Sequence, residues 1–108
     1  MHIPLRQQLM DETLHLVEFT APLVRHISRR DRDLASQIRR ALSSVGLNLA
    51  EGFGNAQGNS RLRLESARGA LYEAQAGLRI AVAWGYLTPV ECAAVLSRWI
   101  GWLRGCSG

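Results

Sequence analysis

Arginine is the residue type in this sequence that most clearly indicates a binding chemistry. All thirteen basic side chains among the 108 residues are arginines, and they give the chain a formal charge of +4 and a pI of about 10.0. A guanidinium group is a planar fork of hydrogen-bond donors that matches phosphate and carboxylate oxygens. The arginine excess is therefore compatible with binding to RNA or DNA. A GC-rich genome, which favours arginine codons, explains the same excess without any function.

The arginines recur at helical spacing, so their side chains should form rows on rigid elements. Phosphate groups favour such rows of cations, and the ring of Tyr72 can stack on an unpaired base. The alternative is a solvated face held by local ion pairs, such as those of Glu65 with Arg61 and Arg68. The candidate nucleic-acid-binding residues are Arg25, Arg29, Arg30, Arg32, Arg39, Arg40, Arg61, Arg68, Tyr72 and Arg79.

Side chains that could support catalysis or hold a metal are sparse. The sequence has no Ser/His/Asp arrangement of known type and no Cys-x-x-Cys pair. The glycine-rich segment at 52–59 has no preceding strand and no lysine, so it does not match a phosphate-binding P-loop. His15 and His26 would lie roughly 16 Å apart along one helix, too far to share a metal ion. We expect a protein without enzymatic activity, cofactor or metal.

Turn and capping signals divide the chain into four helices. Gly85 is placed to end the third helix in the left-handed conformation. Thr88 and Glu91 can form a capping box at the start of the fourth, and Asp31 or Asp33 suits the start of the second. The predicted helices cover residues 5–27, 32–51, 60–84 and 89–103, with one clear loop at 52–59.

The short connection at 28–30 favours antiparallel packing of the first two helices. Residues 1–108 are therefore predicted to form a single all-α domain, an antiparallel up-and-down four-helix bundle. We expect Pro22 to kink the first helix and not to end it, because the apolar spacing continues beyond it. Gly46, in the middle of the second helix, indicates either a close helix contact or a local weakness.

The fourth helix carries more apolar surface than one core-facing stripe needs. We assign its first apolar face to the bundle core and its second face to a surface where copies of the chain associate. The alternative is a wide stripe that packs between two neighbouring helices. The core-facing residues are Ala93, Leu96, Ile100 and Leu103, and the interface residues are Cys92, Val95, Trp99 and Trp102.

A polar stripe on the second helix ends at Glu51. We interpret Gln37, Asn48 and Glu51, together with Ser44, as a structural hydrogen-bonded network, because a buried carboxylate needs such partners. Tyr72 and Glu73 on the third helix can supply further partners. The alternative is a functional polar site that is buried in the bundle or at a junction between subunits.

Several segments of the chain resemble a known family. Residues 36–41 read SQIRRA and residues 48–54 read NLAEGFG, and the match continues at 71–73 and 84–87. These motifs are similar to those of the bacterial four-helix bundle proteins encoded in intervening sequences of large-subunit ribosomal RNA genes. The accessory variability determinant of diversity-generating retroelements is similar to the same proteins. The resemblance covers nearly the whole chain and is densest from residue 36 to residue 87.

The resemblance implies a bundle assembled into a ring-like homopentamer with a basic surface that binds nucleic acid. In the retroelement branch it implies a reverse transcriptase as partner. This sequence departs from the family at two places. Gly46 stands where the family often has proline, and residues 55–59 carry no charge where the family is typically rich in arginine and lysine.

The sequence leaves three functions open. The first is a non-enzymatic homo-oligomeric scaffold that binds RNA or DNA through its arginines, as an accessory to a nucleic-acid-processing enzyme. The second is a protein–protein interaction module without a nucleic-acid role. The third is a small-molecule binder, which the many core alanines disfavour. Because no apolar run reaches the length of a membrane span and no signal peptide is recognisable, we expect a cytoplasmic location and no membrane partner.

Overall fold

The computed structural model describes residues 5–54 and 57–107, which form four α-helices and no strand. The predicted all-α class with four helices is confirmed. No helix in the described part of the chain combines the length and the apolarity needed to cross a membrane. The helices are α1 (Leu5–Ser28), α2 (Arg32–Gly54), α3 (Gln57–Trp84) and α4 (Pro89–Ser107).

The helix ends predicted from capping signals are confirmed. The Thr88 amide donates to the Glu91 carboxylate at 2.9 Å, and the Glu91 amide donates to the Thr88 hydroxyl at 3.1 Å. Gly85 has a φ of +85°. Asp31 Oδ1 accepts a hydrogen bond from the Leu34 amide at 3.0 Å, so Asp31 caps α2. The two capping contacts join residues three positions apart, which is why a sequence pattern reveals them.

The segment predicted as a loop at 52–59 is mostly helical, which corrects the prediction. Only residues 55 and 56 separate α2 from α3, and they lie outside the described residues. A Cβ added to Gly52 would lie 2.9 Å from the Cβ of Arg63. The Ser60 hydroxyl also donates to the Gly52 carbonyl at 2.8 Å. Gly52 therefore permits close contact between α2 and α3 instead of forming a turn.

The contact between α2 and α3 depends on small residues along α3. Its leucines and alanines alternate at spacings of three and four residues and are buried along one face. Gly77 extends this surface, since a Cβ there would lie 2.5 Å from Cγ1 of Ile38. Such a distance is far inside van der Waals contact, so Ile38 fills the space that a side chain at 77 would need. The buried residues of this α3 face are Ala67, Leu71, Ala74, Leu78 and Ala81.

Two tryptophans of α4 are enclosed within the subunit. Trp99 and Trp102 are 0% and 1% exposed. Trp102 Nε1 donates to the Thr13 hydroxyl at 2.7 Å, and that hydroxyl donates to the Leu9 carbonyl at 2.7 Å. This buried chain of hydrogen bonds joins the carboxyl-terminal part of α4 to the amino-terminal part of α1.

The two apolar faces of α4 are exchanged relative to the prediction. The face assigned to an oligomer interface lies in the core of the subunit, because the indole rings of α4 fill the space beside α1. The face assigned to the core is turned outward, with Ile100 48% exposed, Ala93 exposed, and Leu96 and Leu103 half-buried. The residues wrongly placed on the surface are Cys92, Val95, Trp99 and Trp102.

Pro22 and Gly46 both lie inside helices. α1 continues through Pro22 to Ser28, so the prediction that the proline does not end the helix is confirmed. A Cβ added to Gly46 would meet only Thr13 Cγ2, at 3.6 Å, which is ordinary van der Waals contact. The space beside Gly46 would therefore accept the methyl group of an alanine, so no close helix contact requires a glycine here.

Candidate nucleic-acid interface

One group of predicted residues runs along α3 and is called here the α3 row: Arg61, Arg68, Tyr72 and Arg79. All are exposed except Arg68, which is half-buried. Arg61, Arg68 and Glu65 line one hollow, yet among the described residues no ion pair within 4.0 Å joins Glu65 to either arginine. The ion pairs of the alternative interpretation are therefore not formed in the described structure, and neither guanidinium group is paired with Glu65.

Arg79 marks the place where the α3 row meets α4. It lines a hollow together with Val82, Cys92 and Leu96. Burial raises the pKa of the Cys92 thiol above its ordinary value, and the positive charge of Arg79 partly offsets this effect. The hollow thus pairs a cation from α3 with apolar side chains from α4.

A second group, called here the turn arginines, lies where α1 passes into α2: Arg25, Arg29, Arg30 and Arg32. All four are exposed. Backbone hydrogen bonds hold the turn, with the Arg30 and Asp31 amides donating to the Ile27 carbonyl at 2.9 and 2.8 Å. The carboxyl end of α1 also carries a partial negative charge that favours arginine nearby. The turn therefore presents its cations on a fixed backbone.

The remaining predicted arginines, Arg39 and Arg40, lie farther along α2 and are exposed. Arg39 and Arg25 line one groove between α1 and α2, whose wall includes Val24 and Leu42. Among the turn arginines, Arg25 is the one that lines this groove. Arg40 is not among the residues that line it.

Aromatic rings lie beside the turn arginines, and sequence reasoning did not identify them as functional. The Tyr86 hydroxyl donates to Asp31 Oδ2 at 3.2 Å, and the Arg30 guanidinium carbon lies 5.8 Å from the centre of the Tyr86 ring. The rings of Trp84 and Tyr86 are 6.5 Å apart and inclined by only 18°. Trp84 is 67% exposed. In the sequence, residues 84–86 indicate a helix stop and contribute to the family resemblance, but neither signal shows that the two turns meet at one end of the bundle.

Burial raises the pKa of Tyr86 above its ordinary value of 10.0, and the Asp31 carboxylate raises it further, whereas Arg30 lowers it. The phenol is therefore protonated at neutral pH and can donate to Asp31. Since the other oxygen of Asp31 caps α2, one carboxylate fixes both the helix start and the aromatic ring.

The predicted polar network exists in part but is neither fully buried nor complete. Asn48 donates to the Ser44 carbonyl and hydroxyl, both at 2.9 Å, and accepts from Arg63 at 3.3 Å. Arg63 also pairs with Glu51 at 3.2 Å, with the Glu51 side chain 56% exposed. Gln37 is exposed and lines a separate hollow, so its inclusion is wrong.

Arg63, and not the proposed Tyr72 or Glu73, is the residue of α3 that joins this network. Its ion pair with Glu51 is the only one within 4.0 Å among the described residues. The network therefore ties α2 to α3 and removes Arg63 from the set of available cations. Within the same part of the chain, no group of three histidine, cysteine or acidic residues could hold a metal ion.

Comparison with protein families matches residues 6–101 to the family described as 23S rRNA-intervening sequence protein. No curated protein and no solved structure matches the chain. The matched range includes both the α3 row and the turn arginines.

Proposed function

The chain belongs to the 23S rRNA-intervening sequence protein family, and we propose that it is a non-enzymatic scaffold that binds nucleic acid through its exposed arginines. The scaffold is an antiparallel up-and-down bundle that assembles into a ring-like homo-oligomer, with a pentamer favoured by the family resemblance. We further propose that it acts in the cytoplasm as an accessory to a nucleic-acid-processing enzyme such as a reverse transcriptase.

The observation that carries this proposal is that, in the described part of the chain, the predicted arginines have no carboxylate partner. None of the nine predicted arginines forms an ion pair within 4.0 Å in the described part of the chain. An exposed guanidinium without a carboxylate partner can exchange its water for a phosphate oxygen at little cost. The α3 row and the turn arginines supply such groups on rigid backbone.

Assembly into a ring would strengthen nucleic-acid binding, because it repeats each weak arginine contact in every subunit. One subunit offers only a few cations at each position, but a ring repeats each of them by symmetry and raises the effective concentration of the next contact. The outward face of α4 supports self-association, since Val90 is 78% and Ile100 is 48% exposed. Large exposed apolar surfaces commonly mark interfaces.

Fluorescence anisotropy with labelled RNA and DNA tests binding, and light scattering on the same samples gives the subunit number. The double variant Arg61→Gln/Arg79→Gln removes two charges from the α3 row. Its matched control, Arg98→Gln/Arg104→Gln, removes two exposed charges from α4. We expect the first variant to weaken binding clearly more than the second. Equal effects, or no binding by the unmodified chain, would overturn the assignment to the α3 row.

The second candidate is a protein-interaction module without nucleic acid, which the outward apolar face of α4 favours. A pull-down after nuclease treatment distinguishes it, because capture of one protein partner should then persist. Replacing Val90 and Ile100 with glutamate should abolish assembly or partner binding while leaving helix content unchanged. Trp99 and Trp102 are unsuitable for this test because both are buried in the core.

A further inference from the structure

One end of the bundle combines an accessible aromatic plane with cations. Trp84 is 67% exposed, whereas Trp99 and Trp102 are almost completely buried. Tyr86 lies nearly parallel to Trp84, and Arg30 lies beside the Tyr86 ring. We call these three residues, Arg30, Trp84 and Tyr86, the aromatic end.

The backbone and hydrogen bonds fix the aromatic end. The Tyr86 amide donates to the Ala81 carbonyl at 2.8 Å and the Gly85 amide to the Val82 carbonyl at 2.9 Å, which closes α3. The Tyr86 hydroxyl is held by Asp31. A surface that is already ordered loses little conformational entropy when a ligand binds.

The local charge favours an anionic ligand. The segments that meet at this end carry the four turn arginines and three carboxylates. Two of these carboxylates accept hydrogen bonds, Asp31 from Leu34 and Tyr86, and Glu91 from Thr88. The turn arginines outnumber these carboxylates by one, which leaves an excess of positive charge. The carboxylates at this end are Asp31, Asp33 and Glu91.

We propose that the aromatic end binds single-stranded nucleic acid, with an unpaired base stacked on Trp84 and its phosphates held by the turn arginines. A paired base inside a duplex already stacks on its neighbours and cannot use the indole ring. An unpaired base can, and stacking on aromatic side chains tolerates any base. This inference rests on the proposed function and specifies the form of nucleic acid that this site prefers.

The fluorescence of Trp84 itself can report binding at this site. Because the other two tryptophans are buried, a stacked base should quench mainly the red-shifted emission of Trp84. We expect quenching by a single strand of about 12 nucleotides, within the site sizes of known single-strand binders. A duplex of the same length and sequence should bind without this quenching.

The variant Trp84→Ala should lose affinity for the single strand by about 5- to 150-fold, the range that stacking of one base contributes. Its affinity for the duplex should change by less than about twofold. Trp84→Phe should recover part of the loss, since it keeps an aromatic plane. Leu47→Ala, at an exposed apolar position on α2 that belongs to neither proposed site, is the control and should bind as the unmodified chain does.

The outcomes separate this inference from the proposed function. Unchanged single-strand affinity in Trp84→Ala would overturn the stacking site while leaving arginine-mediated binding intact. A changed subunit number in Trp84→Ala would also overturn it, because Trp84 would then be a contact between copies. No salt-sensitive binding of either strand form by the unmodified chain would overturn the proposed function itself.

Discussion

The buried hydrogen bond between Trp102 and Thr13 offers a sharp test of how α4 packs on α1. Thr13→Val keeps nearly the same side-chain shape but removes the hydroxyl that accepts from Trp102 Nε1 at 2.7 Å. The indole N–H is then left without that partner in a site that is 1% exposed. Water cannot replace the lost acceptor without opening the interface between α1 and α4.

The magnitude follows from the cost of an unpaired buried donor, about 1–3 kcal/mol. Thr20 supplies the matched control, because it is also buried on α1 but its hydroxyl has no hydrogen-bond partner within the described structure. Thr20→Val removes a polar group that was buried without compensation. We therefore expect Thr20→Val to be neutral or to stabilise the fold by up to about 1 kcal/mol.

Thermal and urea unfolding, followed by circular dichroism, measure the difference in stability between the two variants. The protein concentration is kept fixed because assembly affects apparent stability. Thr13→Val should lower the melting temperature by about 5–15 °C, and Thr20→Val should leave it unchanged or raise it. Equal shifts in the two variants would refute the reasoning, because the hydrogen bond to Trp102 would then contribute nothing beyond the removal of a hydroxyl.

Two further predictions concern helix contacts and capping. Gly77→Ala should destabilise the fold by about 1–3 kcal/mol in urea unfolding, because its Cβ would overlap Ile38. Gly69→Ala meets no atom within 4 Å and should stabilise by up to about 1 kcal/mol, and the opposite order would contradict the close α2–α3 contact. Hydrogen bonds from the Thr88 amide and then the Thr88 side chain lower the pKa of Glu91 below its ordinary value of 4.5. The stability that this carboxylate contributes is therefore present above that value and is lost as the pH falls through the lowered pKa. The midpoint of thermal unfolding should fall more between about pH 7 and pH 3 in the unmodified chain than in Glu91→Gln, and equal falls would exclude a role for the Glu91 charge.

The features that sequence predicted well are those decided by neighbours along the chain. The Thr88–Glu91 capping box and the Asp31 cap each join residues three positions apart, and the left-handed Gly85 follows directly from its glycine. Helix periodicity likewise accounts for the α3 core, because residues three and four positions apart share one face.

The features that sequence missed depend on contacts between helices. On α4 the two apolar faces are adjacent, and only the fit of Trp99 and Trp102 beside α1 decides which of them is buried. Gly52 looked like a loop residue because glycine also serves turns, whereas here its missing side chain admits Arg63. The register between α2 and α3 pairs Arg63 with Glu51, and no spacing along one helix contains that information.

The same distinction between local features and contacts between helices applies to the candidate site. Helical spacing located the α3 row, since exposure on one helix follows from its own period. The aromatic end was missed because it forms only when the turn after α1 meets the turn after α3. Trp84 and Tyr86 are more than fifty positions from Arg30 along the chain and become neighbours only in the folded bundle.

The salt dependence of nucleic-acid binding tests the central claim most directly. If unpaired guanidinium groups contact phosphates, the logarithm of the binding constant for a single strand should fall linearly with the logarithm of salt concentration. The slope should be about −0.7 for each phosphate contacted, so three contacts give about −2 between roughly 50 and 200 mM salt. A slope near zero with binding intact would contradict the account, because the arginines would then not be the groups that hold the nucleic acid.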